Sequence, residues 1–328
     1  MLNRFRTRWR PETFQGAGRT SRYFEGWYYK IVDEDEKNVM AIIPGISLGN
    51  SSAHAFVQVL DGTRSRYHYH RYRIEEFDYS EDEFCIQVGP NRFREDMIQL
   101  EIGRESQELR GSLGFHGIRP WPKGILSPGA MGVLGFVPGI PCYHHILSLG
   151  HDIEGQLAAD NRAIDFEGGR GYTEKSWGSS FPSAWIWIQS NHFDDPDNCL
   201  ILATARMKVH ARTVQGLTCA LMSGDRLYRF CTWSGGRLTR LAVDRDLVTL
   251  SLENPEHRID IEAALSTATE MRVPRMGEMT GKVLESLSSR IVVTLRERDD
   301  GEVLLEDEGR CGGLEIGGGA GETISVAG

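Results

Sequence analysis

Apolar and polar residues alternate along this chain in short runs, and Gly, Pro, Asn and Asp interrupt them every few positions. Almost no stretch holds a 3.6-residue period. A two-residue period bounded by turn formers is the pattern of β-strands with one buried face. It predicts strands over residues 23–33, 53–60, 65–74, 83–88, 97–102 and 109–115. They resume at 143–149, 155–159, 163–167, 184–190 and 200–209, and further runs cover 216–222, 226–232, 237–243, 247–252, 258–264, 291–296 and 302–306. One or two helical turns over 276–286 are the only departure. So many strands with turns at short intervals predict an all-β protein of barrels or sandwiches, because closure removes exposed sheet edges.

Between the two series lies "GIRPWPKGILSPGAMGVLGFVPGIP", residues 117–141, rich in Gly and Pro and yet apolar. A loop this long in a compact domain usually has a function, so a packed loop or lid is expected. There is also an internal echo. "YFEGWYYK", from Tyr23 to Lys30, and "YTEKSWG", from Tyr172 to Gly178, both have a Tyr, a Glu two residues on, then a Trp. Repetition at half the chain length predicts a duplicated β unit.

Side-chain alternation assigns faces within these segments. Tyr23, Glu25, Trp27 and Tyr29 share one face, which sets a carboxylate in a row of rings. Trp185, Trp187 and Gln189 point one way and Ala184, Ile186 and Ile188 the other, so both faces of that strand ask to be buried. One can belong to a core. The other fits the aromatic wall of a ligand cavity or, equally, packing between two sheets with Glu174 and Lys175 in a solvated turn.

Composition narrows the function classes. The 328 residues suffice for one large or two medium domains, and 40% apolar with 25% charged is ordinary for a soluble chain. Acidic residues exceed basic ones by 46 − 37 = 9, so no basic surface for nucleic acid is implied. The opening "MLNRFRTRWRPETFQG" is locally basic and reads as a solvated tail; Phe5 and Trp9 between its arginines make peripheral membrane contact the second reading. No run of about 18 apolar residues is present to span a bilayer. The six cysteines are scattered without a CxxC, as in reduced core positions of a cytoplasmic protein.

Isolated polar residues carry less. His68 and His70 in "YHYHRY" have an i, i+2 spacing known in zinc sites, and His144 and His145 are adjacent in "CYHH", but no third ligand stands at motif spacing, so no metal site is assigned. His54, in "AHAFVQVL", fits a hydrogen-bonded core histidine better than an acid–base group. There is no P-loop or nucleophile elbow, and the glycine-rich C-terminus precedes no helix that could take phosphate.

The two aromatic motifs, "YFEGWYYK" and "EKSWGSSFPSAWIWIQ", with the lead-in "PETFQG", resemble the tocopherol cyclase family, from about residue 11 to near the C-terminus. The resemblance implies two lipocalin-like antiparallel β-barrel domains, expected at 21–165 and 166–328 behind a basic tail at 1–20. It also implies an apolar isoprenoid substrate. Plant members carry a plastid transit peptide that this chain does not show, which points to a bacterial cytosol.

The implied chemistry closes a chromanol ring on a prenylated hydroquinone. A proton adds to the trisubstituted alkene, and the phenol oxygen captures the tertiary cation, with no metal or redox cofactor. Such a site needs a protonated acid, ring faces worth about 1–2 kcal/mol each to the cation when dry, and exclusion of water. Glu25 or Glu174 is the expected acid. Tyr23, Trp27, Tyr29, His54, Tyr143, His145, Tyr172, Lys175, Trp177, Trp185, Trp187 and Gln189 are the expected substrate-binding residues. A purely structural Glu174–Lys175 ion pair is the competing use of those two charges. The competing function is a non-catalytic lipocalin-like protein that carries an apolar isoprenoid or lipid, since one fold serves both.

Overall fold

In the computed structural model, which describes residues 9–50, 53–104, 107–124 and 127–326, the chain is all-β and its sheets are antiparallel. It divides into two compact units: Met1–Phe181 with Met271–Lys282, and Pro182–Glu270 with Val283–Gly328. The division thus falls at residues 181/182 rather than 165/166. The cause is the strand Gly169–Gly178, which is hydrogen-bonded on both sides within the first sheet.

That sheet runs in the order Arg66–Tyr72, His54–Asp61, Val39–Leu48, Tyr23–Val32, Gly169–Gly178, Cys142–Ala159, Gln107–His116, Met97–Arg104, Asn91–Arg94, Cys85–Val88 and Phe77–Tyr79. Laid flat, ten strand spacings would cover about 48 Å. The two outermost strands are nevertheless consecutive in the chain, joined by a 3-10 turn at Ile74–Glu76 whose reach is about 17 Å. The sheet therefore curls back on itself, and its concave face holds a core built on Trp27, Tyr29, Ile42, Val57, Phe93 and Phe115. Among the described residues the hydrogen-bonded path has two ends and does not close.

The second sheet follows the order Arg226–Arg229, Arg212–Ser223, Cys199–Val209, Ala184–Ser190, Val303–Gly317, Glu278–Glu297, His257–Ala264, Leu247–Glu253 and Arg237–Asp244. Its core is built on Ile186, Ile188, Leu202, Leu221, Leu250 and Val293.

Three sequence expectations are corrected. The helical turns expected at 276–286 are part of the strand Glu278–Glu297, where Met279, Gly281, Val283, Glu285 and Leu287 are buried in a two-residue period. Met279, Val283 and Leu287 stand four apart, a spacing that fits a strand as well as a helix; the one α-helix among the described residues is Ala320–Thr323. The echo marks no duplicated unit, because its two copies are neighbours in one sheet, with Glu25 opposite Trp177 and Trp27 opposite Lys175. The tail at 1–20 is not solvated throughout: residues 1–8 lie outside the described residues, but Pro11, Thr13, Phe14 and Gly16 are buried.

Candidate active site

Tyr23–Val32 consists largely of aromatic and β-branched residues, a composition that favours a pleated, buried surface, and Gly169–Gly178, which begins and ends in glycine, pairs along it. Their pairing register sorts the motif residues onto two faces. The core face carries Tyr23, Glu25, Trp27, Tyr29, Lys175 and Trp177; from the neighbouring Cys142–Ala159 strand, Tyr143 opposes Trp177 and His145 opposes Lys175. Tyr172 and Glu174 fall on the opposite face. Glu174 and Lys175 are adjacent in sequence and for that reason point apart.

Lys175 pairs instead with Glu25, at 2.5 Å, and neither side chain is exposed at all. The Glu25 carboxylate also accepts from the Tyr23 hydroxyl and from the Gln15 amide, whose nitrogen lies 2.9 and 3.0 Å from its two oxygens. The Lys175 ammonium donates to the carbonyls of Pro11 and Thr13, at 2.8 and 2.5 Å, and sits 4.6 Å from the Trp27 ring centroid and 4.9 Å from that of Trp177. Trp27 Nε1 donates to the Glu12 carbonyl at 3.0 Å. Two charges taken out of water are tolerable only when their remaining hydrogen-bonding capacity is filled. Here the backbone of residues 11–15 fills it. The aromatic motif is thus a clamp on an N-terminal strap, with the rings shielding the ion pair that grips it. Burial raises the Glu25 carboxyl above its ordinary pKa against the pull of Lys175, Tyr23 and Gln15, and lowers that of Lys175 against the pull of Glu25.

Beside the strap lies a cavity of about 410 Å³ within the first unit. Strap residues Arg10, Pro11, Thr13, Phe14 and Gln15 form one wall, the loop residues Pro128, Gly129, Met131 and Gly132 another, and Tyr23, Tyr143, His144, His145 and Trp177 a third. Tyr143 stacks on Trp177 with centroids 5.5 Å apart and planes at 14°, while its hydroxyl donates to the Val137 carbonyl at 2.6 Å. The loop approaches so closely that a Cβ on Gly129 would lie 2.6 Å from His145 Nδ1. Nδ1 of His145 accepts from the Ala130 amide at 3.3 Å, and burial pushes this imidazole well below its ordinary pKa, so it is neutral. The walls are more polar than the aromatic motifs suggest: Arg10, Arg19, Arg22, Glu81 and Asp82 also line the cavity.

Glu174 is 9% exposed, and Tyr172 and His144 are among its partners on the far face of the strand. Its Oε2 accepts from the Tyr172 hydroxyl at 2.5 Å and lies 2.9 Å from Nε2 of His144. Glu25 does not line the cavity, whereas His144, the partner of Glu174, does.

The remaining expected site residues lie apart from the cavity. Trp27 is wholly buried and stacks on Phe84 at 5.9 Å. Tyr29 donates to the Arg94 carbonyl at 2.9 Å, deep in the core. His54 Nε2 lies 2.6 Å from the Tyr69 hydroxyl. Trp185, Trp187 and Gln189 belong to the second unit. There Trp185 Nε1 donates to Glu315 at 2.7 Å, and the rings of Trp185 and Trp187 lie over Gly317 and Gly313, where any Cβ would meet them at 2.4 Å. The second motif therefore straddles the unit division, with its Trp177 end at the cavity and its tryptophan strand elsewhere. The strap and His144 were not among the expected site residues. The strap has no periodicity, and the adjacent histidines suggested a metal pair rather than one residue per face.

Two antiparallel sheets in one chain form a fold seen in solved structures. CghA, solved with Sch210972, superposes with a TM-score of 0.57 over 90% of this chain and 88% of its own, at 10% identity. An AttH-type protein from Nitrosomonas europaea gives a TM-score of 0.54 over 90% and 92%, at 15% identity. In sequence, the tocopherol cyclase-like family model matches residues 121–318, and the chain belongs to that family. A protein of Oryza sativa subsp. japonica described as a probable chloroplastic tocopherol cyclase is 26% identical over 180 residues, 50% of this chain. The chloroplastic tocopherol cyclase of Zea mays is 25% identical over 175 residues, again 50% of this chain. In both cases the matched region spans 37% of the plant protein's length. Among the described residues no helix is long and apolar enough to cross a membrane.

Proposed function

We propose that this protein is a cyclase of the isomerase type that closes a chromanol ring on a prenylated hydroquinone in the first-unit cavity. The observation that carries this reading is the stacked Tyr143–Trp177 pair on the wall of that cavity. Trp177 comes from the aromatic motif that carries the family resemblance. A cavity of about 410 Å³ falls within the range of small-molecule sites, roughly 300–1,000 Å³. Ring faces at its wall suit a tertiary cation, and each contributes about 1–2 kcal/mol in a dry site. The reaction as written needs no cofactor, because a proton is added at carbon and another leaves from the phenol.

The two carboxylates take different parts in this reading. Glu25 accepts from three donors and is cut off from the cavity, so it serves the clamp. Glu174 touches a cavity residue and is the carboxylate assigned to proton transfer. A lipocalin-like closure of each sheet fits the curled topology, and six unbridged cysteines fit a reducing compartment such as the cytoplasm. The polar rim formed by the strap fits the hydroquinone head, with the prenyl chain toward the rings.

The test is turnover of 2-methyl-6-phytylhydroquinone and its geranylgeranyl analogue, followed by chromatography and mass spectrometry. Product of unchanged mass and altered retention is the expected result. Binding without conversion would make the protein a carrier, and neither binding nor conversion would remove the reading.

A further inference from the structure

We infer that the outer face of the loop beside the cavity docks on an anionic lipid bilayer, with Trp9, Val133 and Phe136 at the contact. The inference needs the cavity and an apolar ligand but not the ring closure, so it goes beyond the cyclase reading. No Asp, Glu, Lys or Arg lies between Lys123 and Asp152. Within that run Gly132–Phe136 is a single 3-10 turn. Side chains three apart eclipse one another in such a turn, which sorts it into faces. Gly132 and Gly135 line the cavity, whereas Val133 and Phe136 do not. Val133 is 46% exposed; the half-buried Phe136 ring meets the ring of Trp9, itself 39% exposed, at 5.3 Å. Exposed apolar residues scattered singly need no explanation, but here a Trp, a Val and a Phe adjoin on the outside of a cavity wall.

The charges beside this patch select the partner. Trp and Phe favour the headgroup level of a bilayer, and arginines next to them meet anionic lipid. Arg4, Arg6, Arg8 and Arg10 surround Trp9 in sequence, and no acidic residue precedes Glu12. The Glu12 carboxylate is taken by Lys123 at 2.7 Å and Arg10 at 3.6 Å. Glu81 and Asp82 on the cavity wall are matched there by Arg19 and Arg22. The chain as a whole carries a net charge of −9, so an anionic surface attracts this patch and repels much of the rest, which orients the molecule. One turn of chain then separates lipid from cavity, and an apolar ligand can pass between them without crossing water.

The experiment is flotation of the full chain with unilamellar vesicles of phosphatidylcholine, alone or with about 30% phosphatidylserine. Wild type should bind the anionic vesicles and be largely released when salt rises from about 0.1 to about 1 M, where the screening length shrinks from about 10 to about 3 Å. Each basic residue at an anionic surface is worth about fivefold in partitioning, so Arg4→Gln, Arg6→Gln and Arg8→Gln together should weaken binding about 10²-fold. Val133→Asp should weaken it by about tenfold or more without changing Tm, because this side chain is exposed in the free protein and covered only by lipid. Brominated lipid should quench part of the tryptophan emission, and Trp9→Phe, which keeps an apolar ring, should abolish that part.

No flotation with anionic vesicles, or equal flotation of Val133→Asp, would overturn the docking. So would a wild-type dimer that Val133→Asp splits, which would give the face to a second copy. Conversion of detergent-dispersed 2-methyl-6-phytylhydroquinone without vesicle binding would overturn the docking and leave the cyclase reading intact; vesicle binding without conversion would do the reverse.

Discussion

Replacing Lys175 by Met keeps the length of the side chain and deletes its charge, which isolates the clamp. The variant leaves Glu25 buried with only neutral donors and frees the carbonyls of Pro11 and Thr13. Removing one member of a buried ion pair costs about 3–5 kcal/mol, and charged hydrogen bonds such as those to the strap contribute about 1.5–3 kcal/mol each when counted separately. The contributions overlap, so a net loss of about 3–5 kcal/mol is expected, a large share of the roughly 5–15 kcal/mol that holds a domain together. For a unit of this size it corresponds to a Tm lower by about 6–20 °C. Glu25→Gln with Lys175→Met should recover at least about 1 kcal/mol relative to Lys175→Met alone, since no uncompensated charge then remains. The assay is urea unfolding at constant m-value, with hydrogen exchange read at the Gln15 amide, which donates to Glu25. A Lys175→Met protein within about 0.5 kcal/mol of wild type, with the Gln15 amide still protected, would refute the clamp.

Other outcomes follow from single contacts. His151 is buried, with its imidazole pushed down to about 3 by desolvation; unfolded it binds a proton below about 6.5, so unfolding takes up a proton between those values. Stability should therefore fall by about 1.4 kcal/mol per pH unit of acidification in that window, and His151→Asn should flatten the slope in urea titrations. Gly129→Ala should force the His145 ring aside and cost about 1–3 kcal/mol, with weaker quinol binding; an unchanged Tm and affinity would show that the loop yields freely. Trp177→Ala should weaken quinol binding about tenfold, a loss near 1.4 kcal/mol, whereas Trp187→Ala should leave affinity unchanged and lower the stability of the second unit by about 3–5 kcal/mol. Fluorescence titration and calorimetry separate the two.

The all-β class was legible because alternation and turn residues act locally. Val39–Leu48 escaped notice because Pro44 and Gly45 imitate a turn, yet it lies between two strands. Pro44 has no N–H to give, and the ladder with Tyr23–Val32 is interrupted there, between the Gly26–Gly45 and Tyr29–Ile42 pairs. Cys142–Ala159 appeared as two short runs because Gly150 and Gly155 interrupt its pattern. At the site, alternation correctly grouped Tyr23, Glu25, Trp27 and Tyr29 on one face. It could not say that Lys175 would cross to Glu25, because that depends on the register between strands some 150 residues apart. His144 and the strap depend on the same long-range pairing, which a single sequence does not encode in any local pattern.

Turnover of 2-methyl-6-phytylhydroquinone in deuterium oxide bears most directly on proton-initiated ring closure. The chromanol product should carry one non-exchangeable deuterium, on the side-chain carbon next to the new C–O bond, and no added oxygen. A product free of deuterium at that carbon, a hydrated alcohol, or recovery of the quinol unchanged would contradict it.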